Sequence, residues 1–194
     1  MPELFARIPD DRIGALIGPG GRTKKEIVAR TGARLDIDTQ EGEVAISSPD
    51  AEPMRAMKAR DIVVAIGRGF SPERAMRLLK DSDYLAILDI KFTTGKHEKA
   101  ALRRIRARAI GTRGRARSRL EDLSGCSISV YGSTVALIGD EEQLDRGTHA
   151  VELLLKGSEH STVFHFLARA RRNAAVQDLL GRSSVEPLPD DGPE

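Results

Sequence analysis

The sequence predicts an α+β protein in which one small unit of short strands and helices is used twice. Three observations predict it. Ile17-Gly18-Pro19-Gly20-Gly21-Arg22 is echoed ninety-three residues later by Ile110-Gly111-Thr112-Arg113-Gly114-Arg115. At the same offset Ile27 answers to Leu120, Thr31 to Ser124, Gly32 to Gly125, Leu35 to Ile128 and Ile37 to Val130. Strand-like alternation and helix-like spacing follow one another in the same order in both halves. A single Gly-x-x-Gly pair means little, but two pairs followed at equal spacing by matching residues mark a duplication.

In chain order, 3–8 alternates around Leu4, Phe5 and Ile8 and predicts a strand that Pro9 ends. Asp10 or Asp11 caps a short helix over 12–17, with Ile13, Leu16 and Ile17 on one face. The glycine loop 18–21 follows. A second helix spans 22–30, with Ile27 and Val28 inward and Lys24 and Lys25 exposed, and Gly32 stops it. Residues 34–39 and 43–47 alternate as two strands about a Gln40-Glu41-Gly42 turn. A long helix covers 51–67, with Met54, Met57, Ile62, Val63 and Ile66 as its apolar residues. Ser71 and Pro72 open a bridging helix to about 80. The second unit repeats the plan, with strand 84–90, helix 96–109, loop 111–114 and helix 115–123. Strands 126–131 and 134–138 then flank Gly132-Ser133, and Asp140 caps a helix to 155. A further helix starts near 161, and 183–194, rich in Pro and acid, is expected to be disordered. The domains are therefore expected at 1–69 and 83–157, with a bridge at 70–82, a C-terminal helix at 158–182 and a tail at 183–194.

The 194 residues suffice for one or two buried cores. A single cysteine, Cys126, excludes an internal disulfide and a four-cysteine zinc site, and suits a reducing compartment. It stands where the first unit has Ala33, as a small core residue would. No apolar run approaches the ~20 residues of a membrane span, and the N-terminal residues lack a signal pattern. A cytoplasmic protein with no membrane contact is expected. The formal net charge is only +2, but it is unevenly spread. Residues 81–119 hold 11 basic and 4 acidic side chains, whereas 120–194 hold 6 and 13. A basic segment ending on the second glycine loop points to one anionic partner face, although a solvated helix face would read the same way.

Two short helices joined by Gly-x-x-Gly bring bare backbone and a helix N-terminus to one place. Glycine lets a phosphate approach without a Cβ in the way, and the helix N-terminus attracts anions. Arg22, Lys24 and Lys25, or Arg113, Arg115 and Arg117, add charge. Leu35 and Ile37, or Ile128 and Val130, are expected to floor a groove for bases. The RNA-binding candidates are therefore Gly18, Pro19, Gly20, Gly21, Arg22, Lys24, Lys25, Leu35 and Ile37 in the first unit. In the second they are Gly111, Thr112, Arg113, Gly114, Arg115, Arg117, Ile128 and Val130. Pro19 leaves the first loop less cationic than the second, which has Arg113.

This combination resembles the KH domain, whose GxxG loop clamps about four nucleotides of single-stranded RNA. The resemblance implies two tandem type I KH domains, each a three-stranded antiparallel sheet with helices packed on one face, over about 4–67 and 84–156. The family pattern has an aliphatic residue three positions after the second glycine, where this chain has Lys24 and Arg117. A basic residue there is similar to the archaeal type of two-KH ribosome-assembly factors of the partner-of-Nob family. The stretches Ala65-Ile66-Gly67-Arg68-Gly69-Phe70-Ser71-Pro72-Glu73, Val130-Tyr131-Gly132 and Val163-Phe164-His165-Phe166-Leu167 carry the same resemblance. It implies binding to the 3′ end region of small-subunit ribosomal RNA. The Nob endonuclease or a translation initiation factor subunit is the implied protein partner.

No Walker loop, dinucleotide fingerprint or nucleophile–base pair occurs, so a non-catalytic role without cofactor or metal is expected. Asp36 and Asp38 alternate on one strand face with no third clustered carboxylate, and His160 and His165 are five apart. Asp140-Glu141-Glu142 reads as a helix first turn. Two other functions fit the same residues: a general messenger-RNA-binding or RNA-decay accessory protein, and a protein-binding scaffold acting through the first unit.

Overall fold

The computed structural model describes residues 3–48 and 53–183. The start of the helix expected at 51, and the tail from 184 on, lie outside these residues. The first sheet has β1 (Glu3–Arg7), β2 (Arg34–Ile37) and β3 (Glu43–Ser47) in the antiparallel order β1-β3-β2. The second has β4 (Tyr84–Asp89), β5 (Ser127–Tyr131) and β6 (Thr134–Gly139) in the matching order β4-β6-β5. Helices α1 (Asp10–Ile17), α2 (Arg22–Thr31) and α3 (Pro53–Gly67) cover the first sheet. A short α4 (Pro72–Ala75) continues as a 3-10 turn, Met76–Leu79, into the second unit. There follow α5 (Ile90–Thr94), α6 (Lys99–Ile110), α7 (Arg115–Ser124), α8 (Glu141–Lys156) and α9 (His160–Ser183). Among the described residues no helix is long and apolar enough to cross a membrane.

Register explains the cores. Leu35 and Ile46 stand opposite one another, as do Ile128 and Leu137, and all four turn towards the helices. There they meet Leu16, Ile27, Ile62 and Ile66 in the first core, and Leu120, Val151 and Leu154 in the second. The repeated hydroxyl-glycine pair has one task in both units. Thr31 Oγ1 donates to the Ile27 carbonyl (2.7 Å) and accepts from Ala33 N–H (3.3 Å). Ser124 Oγ does the same with Leu120 and Cys126, at 2.7 and 3.2 Å. The following glycine, φ 70° at Gly32 and 81° at Gly125, turns the chain out of the helix into the strand.

Several expectations are corrected. Met54 and Met57 are exposed, and Ala56 and Ala59 face the core instead, because α3 lies so close to β1 that Gly67 has no room for a Cβ beside Ile8 (2.6 Å). Phe5 points out of the first sheet, since Ala6 and Ile8 are its inward neighbours. The helix expected over 96–109 starts only at Lys99. Before it Asp89 caps an unforeseen α5, accepting from Lys91 and Phe92 N–H at 2.7 and 3.0 Å, and Gly95 ends it. Asp10 and Asp11 lie in the first turn of α1 rather than capping it.

The bridge is not a spacer. Each unit's helices cover one face of its sheet, and the bridge covers the other face of the second. Ala136 and Ile138 on that face join the first core together with Phe70, Met76 and Leu78. The central strand β6 is consequently buried at every residue, both faces being occupied. Gly69 is seated against Ser129 Oγ and Tyr131 Cβ, each 2.8 Å from where a Cβ would stand. Ser129 Oγ donates to the Arg68 carbonyl at 2.9 Å. Tyr131 donates its hydroxyl to Asp11 (2.6 Å), and Arg12 reaches back to the Ile66 and Phe70 carbonyls at 2.9 and 2.6 Å. Arg77 is the most connected side chain of the bridge. It donates to Asp83 (2.5 Å), the Gly125 carbonyl (3.0 Å) and Gln143 Oε1 (2.6 Å). Gln143 in turn completes the capping box with Asp140.

Because the Asp83 side chain is only 5% exposed, removing its cation leaves a buried carboxylate unpaired. Arg77→Met is expected to cost about 2 kcal/mol, read as a lower urea midpoint. An unchanged midpoint would show that the bridge is not anchored this way.

Candidate nucleic-acid interface

The two glycine loops have the same backbone path. Gly18 and Gly111 both have φ 72°, with ψ 171° and 173°. Gly20 and Arg113 are left-handed at 59°, 24° and 55°, 29°, and Gly21 and Gly114 follow at 76°, 16° and 78°, 7°. Each turn is closed by an N–H from its last glycine to the carbonyl of its first, at 3.1 Å. The first glycine is required sterically. A Cβ on Gly18 would stand 2.3 Å from Thr23 Oγ1, and one on Gly111 would stand 2.6 Å from Ala116 Cβ. That contact lets the helix before the loop run directly onto the first turn of the helix after it. The other three loop positions meet nothing of this kind: a Cβ on Gly20 or Gly114 would have no neighbour within 4 Å.

The helices that leave the loops start without a side-chain cap. Ser71, Asp89 and Asp140 cap α4, α5 and α8, while α1 and α6 also start without a side-chain cap. The first N–H groups of α2 and α7, and the positive ends of their dipoles, are thus available to an anion. Arg113 is the one non-glycine residue with positive φ among the described residues. An L-residue pays about 1 kcal/mol for that conformation, so the arginine is held on the loop against a local cost.

The candidate side chains divide by exposure. Pro19, Gly20, Arg22 and Lys25 are exposed, as are Thr112, Arg113 and Arg115. Gly18, Gly21, Lys24, Gly111, Gly114 and Arg117 are half-buried. Leu35 (6% exposed) and Ile128 (1%) lie mostly in the cores, each under its loop helix. Leu35 still lines a cleft with Val28, Arg34 and Asp36, whereas Ile128 lies too deep to floor a groove. Ile37 and Val130, two residues nearer the strand end, are half-buried and keep some surface. Beside them the first unit has Ile17 and Val28, also half-buried, which the alternation of β2 could not have singled out. In the second unit Glu121 replaces Val28. Its carboxylate is held by Arg74 of the bridge and accepts from Ile128 N–H at 2.6 Å.

The two loops differ in charge. Glu73 of the bridge has its carboxyl held below the usual range by hydrogen bonds from its own N–H and from Ser71, and further by the Arg22 guanidinium. A carboxylate is therefore within electrostatic reach of Arg22. At the second, Arg113 and Arg115 have no hydrogen bond or ion pair among the described residues. Arg117 Nε is buried without a partner, its stem lying where the KH pattern has an aliphatic side chain. Asp38 closes its own turn, accepting from Gln40 and Glu41 N–H at 2.8 and 3.1 Å, which lowers its pKa. Cys126 is buried, its thiol pushed up to about 11 chiefly by desolvation.

Arg113→Gly is expected to raise stability by about 1 kcal/mol, since glycine adopts this conformation freely. Gly111→Ala is expected to lower it by about 2 kcal/mol or more through the Ala116 clash. Chemical denaturation measures both. Equal stabilities for the two variants and the parent would contradict the loop geometry.

Residues 4–63 match the family model of the KH domain, and 84–172 that of the eukaryotic-type KH domain (KH-domain type I). A KH domain-containing protein of Methanocaldococcus jannaschii is 42% identical over 168 residues, covering 86% of this chain and 73% of that protein. The crystal structure of Dim2p from Pyrococcus horikoshii OT3 is 47% identical, covers 87% of this chain and 99% of that one, and superposes with a TM-score of 0.82. A complex of a/eIF2alpha, aDim2p and rRNA from the same organism contains a chain 46% identical, covering 89% and 95%, with a TM-score of 0.83. With identity and coverage at this level along both KH units, the bridge and α9, the chain belongs to the partner-of-Nob (Dim2p) family of tandem KH-domain proteins, archaeal type.

Proposed function

We propose that this protein binds single-stranded RNA at the 3′ end region of small-subunit ribosomal RNA and acts as a non-catalytic, cytoplasmic assembly factor. The observation that carries the reading is the second loop: exposed backbone, an uncapped helix start and cations without internal partners, all at one place. Phosphates sit on the N–H groups of the loop and of the first turn of α7, with Arg113 and Arg115 beside them. Arg117 Nε lacks a partner in the free protein, and a phosphate or base oxygen supplies one. Val130 gives the bases an apolar contact. In the first unit the backbone is the same, with Ile17, Val28 and Ile37 as apolar surface and Lys24 and Lys25 as cations, but Glu73 opposes Arg22.

This asymmetry supports a division of work. The second unit, within 83–157, takes the stronger phosphate contacts. The first, within 1–69, takes a weaker RNA contact or a protein. The solved complex of a/eIF2alpha, aDim2p and rRNA supports a translation initiation factor subunit as that protein, and the Nob endonuclease is the other candidate partner. The reading as a general messenger-RNA binder predicts no preference for ribosomal sequence.

Replacing Thr112 and Arg113 together with Asp is expected to weaken binding of a ribosomal 3′-end oligonucleotide more than tenfold, which corresponds to 1.4 kcal/mol or more, with an unchanged circular dichroism spectrum. The slope of log affinity against log salt is expected to become shallower by about one to two phosphate contacts. Parental affinity in the variant, measured by fluorescence anisotropy, would refute the proposal. Loss of the preference for ribosomal over unrelated RNA in cellular crosslinking would favour the messenger-RNA reading.

A further inference from the structure

Beside the second loop lies a cleft that shares Thr112 and Arg115 with the phosphate contacts of that loop but extends away from the KH groove to Arg119, His160 and Phe164. It has a volume of about 520 Å³ and is lined by Thr112, Arg115, Arg119, His160 and Phe164 together with the loop backbone. It is on the far side of α7 from the groove. Arg115 and Arg119, one turn apart, share a helix face, and Arg117 points about 200° away from them. The far wall is the start of α9, which runs alongside α7: Phe164 lies at the loop end, and Arg171 donates to the Asp122 carbonyl at 3.1 Å. The first unit has no fourth helix of this kind, and Glu26 occupies the position equivalent to Arg119.

Its chemistry is specific. Arg115 and Arg119 are exposed, and neither is hydrogen-bonded or ion-paired among the described residues. His160 and Phe164 stand with ring centres 5.9 Å apart. The bond from His160 Nε2 to the Arg108 carbonyl (3.0 Å) requires the proton on Nε2, so in the neutral ring Nδ1 is an acceptor. Phe164 packs partly on the second core and keeps part of its surface free. Cations for a phosphate, a ring face for a base and an acceptor for an amino or hydroxyl group are thus together, at the size of a small-ligand site.

We propose that this cleft holds one further nucleotide of the same RNA strand, flanking those that cross the second loop. Its phosphate lies on Arg115 and Arg119, and its base stacks on Phe164 beside His160. The inference rests on the RNA-binding reading above, and extends the footprint of the second unit around α7.

The test uses the full chain and two sets of single-stranded oligoribonucleotides from the 3′ end of small-subunit ribosomal RNA. One set has about four nucleotides, the footprint of a KH groove; the other is extended by a few nucleotides at either end. Phe164→Leu keeps the apolar packing and removes the ring. Arg119→Ala changes an exposed residue and serves if the Leu variant melts early. Both variants are expected to bind the short RNA as the parent does, and to lose at least fivefold on one of the extended RNAs, the range of a single base stack. Parental affinity of both variants for every extended RNA overturns the inference and leaves the cleft to a protein partner. If that happens while the Thr112/Arg113 variant still fails to bind, the RNA reading stands alone. If the parent binds neither set, the RNA reading fails, and this inference with it.

Discussion

No side chain fits at Gly18 or Gly111. Everything distinctive about the two units depends on that steric limit. Because the first loop residue presses on Thr23 or Ala116, the chain passes from one helix to the next in four residues. It arrives with a left-handed turn that leaves the following helix start uncapped and uncovered. Any residue larger than glycine would push the two helices apart and withdraw the backbone N–H groups from the surface. The interface is therefore a consequence of backbone geometry first and of charge second, which is why Pro19-Gly20 and Thr112-Arg113 occupy the same path with different chemistry.

The second constraint is the bridge. A three-stranded sheet with helices on one face normally keeps one face in water, as the first sheet does around Phe5. The second sheet gives that face to Phe70, Leu78 and the end of the first unit, so the two units share a core through Ala136 and Ile138. Polar contacts fix the docking: Arg77 with Asp83 and Gln143, Tyr131 with Asp11, Ser129 with the Arg68 carbonyl. The two loops are thus held on one body. Glu73, within electrostatic reach of Arg22, comes from the same bridge that holds Glu121 through Arg74. The same segment thus brings a carboxylate near Arg22 and fixes the Glu121 side chain.

The repeat was legible because its marks are residues with fixed backbone tasks: the loop glycines, the Thr31-Gly32 and Ser124-Gly125 helix ends, the Asp140 cap. Order and type of nearly all elements followed from them. What escaped depends on contacts distant in sequence. Leu35 and Ile37 alternate alike, and only the placement of α2 buries one more than the other. Met54 and Met57 look like core residues until α3 is seen to approach the sheet through alanines. The continuous apolar run 135–138 did carry a signal of burial on both faces, but not of what covers the second face. Arg113 in a left-handed conformation has no local sequence signature at all. It is visible only by analogy with Gly20 in the other unit.

The central claim is that RNA lies across the bare loop backbone. Backbone amide signals of the full chain, followed by NMR as ribosomal 3′-end RNA is added, address it directly. The account predicts the largest shifts at 111–116, smaller ones at 18–23, and little change on the outer face of the first sheet around Phe5. Shifts concentrated on that outer face, with both loops silent, would contradict it.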